Sequence, residues 1–192
     1  MTDLATVLSF AFVAITAITF HEAAHGYVAS RLGDDTAKAR GRVTLNPFAH
    51  IDLVGTIAIP TILYLIRAPF LFGWAKPVPV SWQNLRHPKR DMMLVAAAGP
   101  LMNFLLAAGF AAVAVGLGLA DVKAPPPWLL DTLAMGVAFN LWIGAFNLIP
   151  IPPLDGSKVV AGLLPDSWAA RYVGFRRKPP QPKEPPGPIV NP

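Results

Sequence analysis

Two histidines and one glutamate lie together near the end of the first apolar segment, within residues 19–26 (TFHEAAHG). On a helix, residues four apart lie on one face about one turn apart, so His21 and His25 can bind one metal ion. Glu22 points elsewhere, which suits a general base that deprotonates a metal-activated water. The pattern predicts a hydrolytic metal centre, and the alternative is a pair of histidines packed in a helix bundle.

The composition places this motif in a membrane. Of the 192 residues, 54% are hydrophobic and 14% are charged, whereas soluble domains carry roughly 25% charged residues. Long apolar runs result, which indicates an integral membrane protein with one membrane domain. An ionisable side chain at membrane depth is unfavourable by about 2.5–3.5 kcal/mol on insertion scales, so three within residues 21–25 require a partner such as a metal ion. Because the chain has no cysteine, nitrogen and oxygen ligands are expected, and these favour zinc.

Three apolar runs are long enough to cross a bilayer core of roughly 30 Å as helices. They extend from Leu4 to about Ala29, from Met92 to Leu119 and from Trp128 to about Leu148. The run from Leu53 to Leu65 is shorter than a full span and is interrupted by Pro60. We therefore predict an all-α multi-pass membrane protein with three transmembrane helices and one short apolar segment that is re-entrant or interfacial.

The polar segments carry different signals. Residues 43–47 end in an Asn-Pro turn and residues 73–80 are interrupted by prolines, so both predict short β edges. We expect residues 171–192, which become basic and then proline-rich, to be a disordered tail. The first run lacks a basic leader and continues into the histidine motif, so we expect no cleaved signal peptide.

A catalytic zinc takes three protein ligands and keeps one position for water, so a third ligand must come from another segment. The candidates are His50, Asp52, His87, Asp91 and Asp155. Asp155 is favoured because it follows the third run directly and is fixed by a proline-rich break and by Gly156. The alternative role for Asp155 is the N-cap of a short helix over residues 157–164.

Asn103 is a polar residue inside the second apolar run and needs a partner there. Two roles remain open from the residues alone. Asn103 can donate to the oxyanion that forms when water attacks a carbonyl, or it can make an interhelical hydrogen bond with Asn140 or Asn147.

The order of the segments predicts the topology. If Asp155 reaches the metal, the first and third runs end on the same side of the membrane, and the short loop between the second and third runs makes them antiparallel. The chain then crosses an even number of times between Ala29 and Met92, so residues 53–65 do not cross. This topology puts fifteen of the sixteen Lys and Arg residues on one face and only Lys123 opposite.

The positive-inside rule makes the basic face cytoplasmic, which predicts a multi-pass protein of the cell (inner) membrane with its active cluster toward the cytoplasm. The topology also explains the net charge of +5, so no nucleic-acid partner is expected.

Three ordered blocks resemble the site-2 protease family of intramembrane zinc metalloproteases (peptidase M50-like), in its compact bacterial branch. They are residues 21–25 (HEAAH), 99–103 (GPLMN) and 147–156 (NLIPIPPLDG). The similarity covers about residues 5–165. Beyond that point related members continue into a further hydrophobic span, whereas this chain continues into the basic, proline-rich tail.

The resemblance implies one zinc ion per chain, held by His21, His25 and Asp155, with Glu22 as the catalytic base. It also implies that Asn103 binds the substrate or stabilises the transition state. The implied substrate is a membrane-spanning protein cleaved within or near the lipid bilayer.

On this basis residues 1–170 form a membrane-embedded metalloprotease domain, and the edges at 43–47 and 73–80 hold an unwound substrate by β-addition. The alternative is a catalytically inactive metal-binding membrane scaffold related to the family. Glu22 discriminates between the two, because a site that only binds metal does not require it.

Overall fold

The structure is a computed structural model, and it describes residues 4–68 and 73–173. Within these ranges the chain is helical, with irregular connections and no strand. The α-helices are α1 (Leu4–Arg31), α2 (Thr36–Ala39), α3 (Ile59–Leu65), α4 (Pro88–Leu119), α5 (Pro127–Asn147), α6 (Asp155–Leu163) and α7 (Asp166–Val173). Two 3-10 turns (Pro47–His50 and Trp82–Asn84) and a π-helical segment (Leu53–Ala58) lie between them.

The three predicted long helices are confirmed as α1, α4 and α5, and each is long and apolar enough to cross a membrane. Large apolar side chains on their outer faces remain exposed, as is the case for Leu8, Leu105 and Trp142. Helix α4 begins four residues before the predicted Met92, because Pro88 suits the first helical position.

Polar contacts between the three helices show how they run. Near the N-terminal end of α1, Ser9 accepts a 2.7 Å hydrogen bond from the Thr132 hydroxyl near the start of α5. At the other end of α1, the His25 ring contacts the carbonyl of Val95, close to the start of α4. Helices α1 and α5 are therefore parallel and α4 is antiparallel to both, as the predicted topology requires.

Small residues let these helices approach closely. Ala17, Ala96 and Ala107 are almost completely buried, and a Cβ at Gly136 would lie 2.5 Å from the Phe110 ring. Close packing of small residues drives helix association in lipid, where burial of apolar surface gives no advantage. The bundle is thus held at short interhelical distances around the histidine motif.

Residues 53–65 form a π-helical segment followed by α3, which gives one short apolar helical element. A Cβ at Gly55 would lie 2.4 Å from the Trp74 indole, so the glycine lets the indole lie flat on the helix. The backbone N–H of Trp74 also donates to the Gly55 carbonyl at 3.1 Å. That this element is re-entrant stays a prediction.

The two predicted β edges are not strands. Residues 43–45 form bends, and Pro47 begins the 3-10 turn that Asn46 caps, with the Asn46 side chain accepting from the Phe48 N–H at 3.1 Å. Residues 73–80 are irregular. Pro77 and Pro79 provide no N–H for a ladder, and the neighbouring Lys76 N–H is already bonded to the His50 carbonyl at 2.9 Å.

The C-terminal part contains a helix that was not predicted. Helix α7 includes residues 171–173, which were predicted to begin the disordered tail, and the rest of that tail lies outside the described residues. Lys89 holds α7 near α4, because its ammonium pairs with Asp166 at 3.1 Å and also donates to the Leu164 carbonyl.

A buried carboxylate fixes the loop that follows residues 73–80. Asp34 is completely buried and accepts hydrogen bonds from the Thr36 hydroxyl, the Ser81 N–H and the Asn84 side chain. Burial by itself raises the pKa of Asp34, but these hydrogen bonds outweigh it and hold the pKa below its usual value. The charged Asp34 thus ties the end of α1 to the loop.

Candidate metal centre

Three side chains from two helices converge at the end of the bundle that is predicted to face the cytoplasm. The Asp155 Oδ2 atom lies 3.1 Å from the Nε2 atoms of both His21 and His25, and the two Nε2 atoms are also 3.1 Å apart. A tetrahedral zinc ion with bonds of about 2.0–2.1 Å sets its ligand atoms about 3.3 Å apart. The three donor atoms therefore have the spacing that one such ion requires.

Hydrogen bonds at the Nδ1 atoms of His21 and His25 determine that the Nε2 atoms face Asp155. The Nδ1 of His21 is 2.6 Å from the Asn103 Oδ1, and the Nδ1 of His25 is 2.7 Å from the Val95 carbonyl oxygen. Both partners only accept hydrogen bonds, so each Nδ1 carries the proton and each Nε2 presents a lone pair. Two lone pairs and a carboxylate at 3.1 Å repel one another unless a cation lies among them, so the residues fit a metal ion.

Gly99 leaves the space beside these atoms open. A Cβ at this position would lie 2.5 Å from the His25 Nε2 and 2.6 Å from the His21 Nε2. Helix α4 can approach the motif this closely only because residue 99 has no side chain. The packing at the metal centre therefore requires glycine at the first position of the 99–103 block.

Asp155 is the first residue of α6, and Leu154, rather than Asp155, takes the N-cap position. Its two oxygens have separate partners, since Oδ2 faces the histidines and Oδ1 accepts a 3.0 Å hydrogen bond from Lys158. The ammonium thus fixes the carboxylate and leaves one oxygen for the metal.

Glu22 follows His21 directly but is not part of the group that could hold a metal ion. Its Oε2 accepts a 2.7 Å hydrogen bond from the backbone N–H of Val78, in the segment 73–80. Val43 and Val78 both pack on Gly26, one residue after His25. The segments predicted to be β edges therefore cover the side of α1 where Glu22 emerges.

Asn103 is completely buried and all its polar atoms have partners. Its Oδ1 accepts from His21, and its Nδ2 donates to the Ala17 carbonyl at 3.2 Å and to the Asn140 Oδ1 at 3.0 Å. The interhelical hydrogen bond with Asn140, one of the two roles left open, is present. The oxyanion role stays a prediction and would require one of these bonds to open.

Three of the other candidate ligands, His50, Asp52 and Asp91, have different partners. His50 is bonded to the Thr44 carbonyl, and Asp52 caps the π-helical segment through the N–H groups of Val54 and Gly55. Asp91 accepts from the backbone N–H of His87 at the start of α4. In the part of the chain that the structure describes, the grouping able to hold a metal ion is His21, His25 and Asp155.

Comparison with known proteins finds relatives that are named as zinc metalloproteases. The chain is 39% identical over 160 residues to "Putative zinc metalloprotease YwhC" of Bacillus subtilis, a match that covers 82% of this chain and 69% of the relative. The chain belongs to the site-2 protease-like family of zinc metalloproteases. No family model and no solved structure matches it.

More distant relatives of this site-2 protease-like chain carry similar names. "Putative zinc metalloprotease Rip2" of Mycolicibacterium smegmatis is 27% identical over 74% of this chain and 52% of its own length. "Zinc metalloprotease MJ0392" of Methanocaldococcus jannaschii is 24% identical over 77% of this chain and 32% of its own length. The site-2 protease-like chain thus spans about half of one of these relatives and about a third of the other.

Several contacts at the centre were not predicted from the sequence. The carbonyl of Val95 and the N–H of Val78 are backbone groups, which no residue type signals. The contact of Lys158 with Asp155 could have been predicted, because residues three apart on a helix are neighbours.

Proposed function

We propose that this chain is an intramembrane zinc metalloprotease that hydrolyses peptide bonds of membrane-spanning proteins. The observation that carries the proposal is the convergence of His21, His25 and Asp155 inside a bundle of membrane-length helices, with Glu22 beside them. A site that only stored metal would need the Glu22 carboxylate at most to hold the Val78 N–H, whereas a hydrolase also needs it as a base. The zinc metalloprotease relatives support the same class of reaction.

In the proposed reaction, His21, His25 and Asp155 would hold a zinc ion, and the chemistry it would supply there is polarisation of the substrate carbonyl and activation of water as a nucleophile. The Glu22 carboxylate takes a proton from the attacking water and later delivers it to the amine of the leaving strand. The Val78 N–H holds Glu22 at the edge of the centre, and Asn103 and the Val95 carbonyl hold the imidazoles. The chain thus provides a fixed base and fixed ligands before substrate binds.

Backbone hydrogen bonding favours one of the two segments as the substrate edge. In segment 73–80, the N–H groups of Trp74, Lys76 and Val78 are all bonded inward, to Gly55, His50 and Glu22. In segment 43–47, by contrast, Val43 and Leu45 make no backbone hydrogen bond with the described residues. We therefore assign β-addition of the unwound substrate to Val43 and Leu45.

Replacing Glu22 by glutamine tests the proposed activity. The glutamine side chain keeps an oxygen that accepts from Val78 but cannot take up a proton, so cleavage of a membrane-spanning peptide should fall about 10²–10⁴-fold. Zinc content, measured on the same purified samples, should stay at one per chain. Equal cleavage by the wild type and Glu22→Gln would instead support the inactive metal-binding scaffold.

The proposed orientation, with the centre toward the cytoplasm, can be tested because the chain has no cysteine. Single cysteines replace Lys38, near the metal-centre end, and Lys123, in the loop between α4 and α5; both positions are exposed. A membrane-impermeant maleimide should label Lys123→Cys in cells whose inner membrane is intact, and Lys38→Cys only after that membrane is opened. The opposite labelling pattern would reverse the proposed topology.

A further inference from the structure

A line of buried amides connects α5 to the metal centre. Asn103 and Asn140 are both completely buried in the bundle. The Asn140 Nδ2 donates to the Gly136 carbonyl at 2.9 Å, and the Asn140 Oδ1 accepts from the Asn103 Nδ2 at 3.0 Å. The Asn103 Oδ1 then accepts from the His21 Nδ1 at 2.6 Å.

The order of donors and acceptors along this line is fixed. The Asn140 NH2 group faces the Gly136 carbonyl, so the Asn140 oxygen must point toward Asn103. That oxygen, together with the Ala17 carbonyl, takes both hydrogens of the Asn103 NH2 group. Only the Asn103 oxygen remains for His21. A flip of Asn140 would place two NH2 groups against each other, and a flip of Asn103 would place its oxygen against the Asn140 oxygen and the Ala17 carbonyl.

The consequence reaches the metal ligand. Because the Asn103 oxygen faces His21, the proton of that ring stays on Nδ1 and the lone pair stays on Nε2, beside the Asp155 carboxylate. A separate polar contact joins α5 directly to α1, between Thr132 and Ser9. It lies far from the metal centre and does not lead to any of the three candidate ligands. Interhelical packing alone would not require the hydrogen bonds from Asn140 through Asn103 to end on His21.

We propose that Asn140 is a positioning residue of the metal centre: through Asn103 it fixes the ring orientation and tautomer of His21 for zinc binding. The inference rests on the zinc site of the proposed function. A direct partner of a ligand, such as Asn103, typically accounts for about 10–100-fold in metal affinity. Asn140 lies one hydrogen bond further from the ligand, so we expect an effect near the lower end of this range.

The test measures zinc affinity of the purified full chain by competition with a chelator, and the visible spectrum of the cobalt(II)-loaded protein. Asn140→Leu removes both hydrogen bonds. Asn140→Ser is the milder variant, since its hydroxyl can still bond the Gly136 carbonyl but is too short to reach Asn103. Thr132→Val is the matched control, because it removes a buried hydrogen bond between α5 and α1 at the other end of the bundle.

Both Asn140 variants should bind zinc about 10-fold more weakly than the wild type and show a changed cobalt spectrum. Thr132→Val should stay within about twofold of the wild type even if its melting temperature falls. If Asn140→Leu does not fold, Asn140→Ser decides the matter alone. Asn140 variants with the affinity and spectrum of Thr132→Val would overturn this inference only, whereas a wild-type chain that binds no zinc would overturn the proposed function.

Discussion

Replacing Gly99 with alanine is expected to abolish tight zinc binding while leaving the helices intact. The new Cβ would lie within 2.6 Å of the Nε2 atoms of both histidines, and neither ring can turn away without losing its Nδ1 hydrogen bond. The rings must therefore shift or α4 must move outward, and either change separates the ligand atoms. We expect a loss in zinc affinity of at least about 100-fold, measured by chelator competition.

Gly109→Ala is the control for this prediction. Gly109 lies in the same helix, and a Cβ there would meet no atom within 4 Å. Alanine favours a helix by about 0.5–1 kcal/mol over glycine, so both variants should retain their helical circular dichroism. Wild-type zinc affinity in Gly99→Ala would contradict the close approach of α4 to the motif.

Replacing Asp155 with asparagine is expected to have an effect of similar size. The side chain keeps its shape but loses the charge that faces both imidazoles at 3.1 Å. The Lys158 ammonium, now 3.0 Å from a neutral amide, would add an uncompensated positive charge next to the centre. Zinc affinity should fall by at least about 100-fold, because a ligand is lost together with its charge.

Asp131→Asn serves as the matched change, since Asp131 is an exposed carboxylate of α5 outside the centre. It should bind zinc like the wild type in the same competition assay. The assignment of the third ligand would be wrong if Asp155→Asn retained zinc as tightly as Asp131→Asn.

The long helices and the pairing of His21 with His25 were predictable because each leaves a strong local signal. A run of about 20 apolar residues has few alternatives to a membrane span, and the spacing of His21 and His25 is fixed by the helix itself. Asp155 came from its position after the third span, and the parity of crossings then required the arrangement of helix ends that the structure has. No local sequence pattern, however, predicted the distance from Asp155 to the two histidines.

The irregular structure of residues 43–47 and 73–80 and the presence of the C-terminal helix could not be predicted in the same way. Prolines in residues 73–80 were interpreted as an edge, but the segment is held by hydrogen bonds to side chains and backbone far away in sequence, such as Val78 with Glu22. Helix α7 is short and its contact with α4 depends on Lys89, so its sequence alone carried little signal. Asn103 had two open roles, and only the fold brought it to both Asn140 and His21.

Zinc reconstitution of the metal-free protein tests the central claim most directly. Cleavage of a membrane-spanning peptide should return in proportion to added zinc and reach its plateau at one ion per chain. Glu22→Gln should bind that same single ion and remain inactive. Cleavage that persists without bound zinc would contradict the account. So would a variant that lacks His21, His25 and Asp155 together but still regains cleavage with one zinc ion per chain.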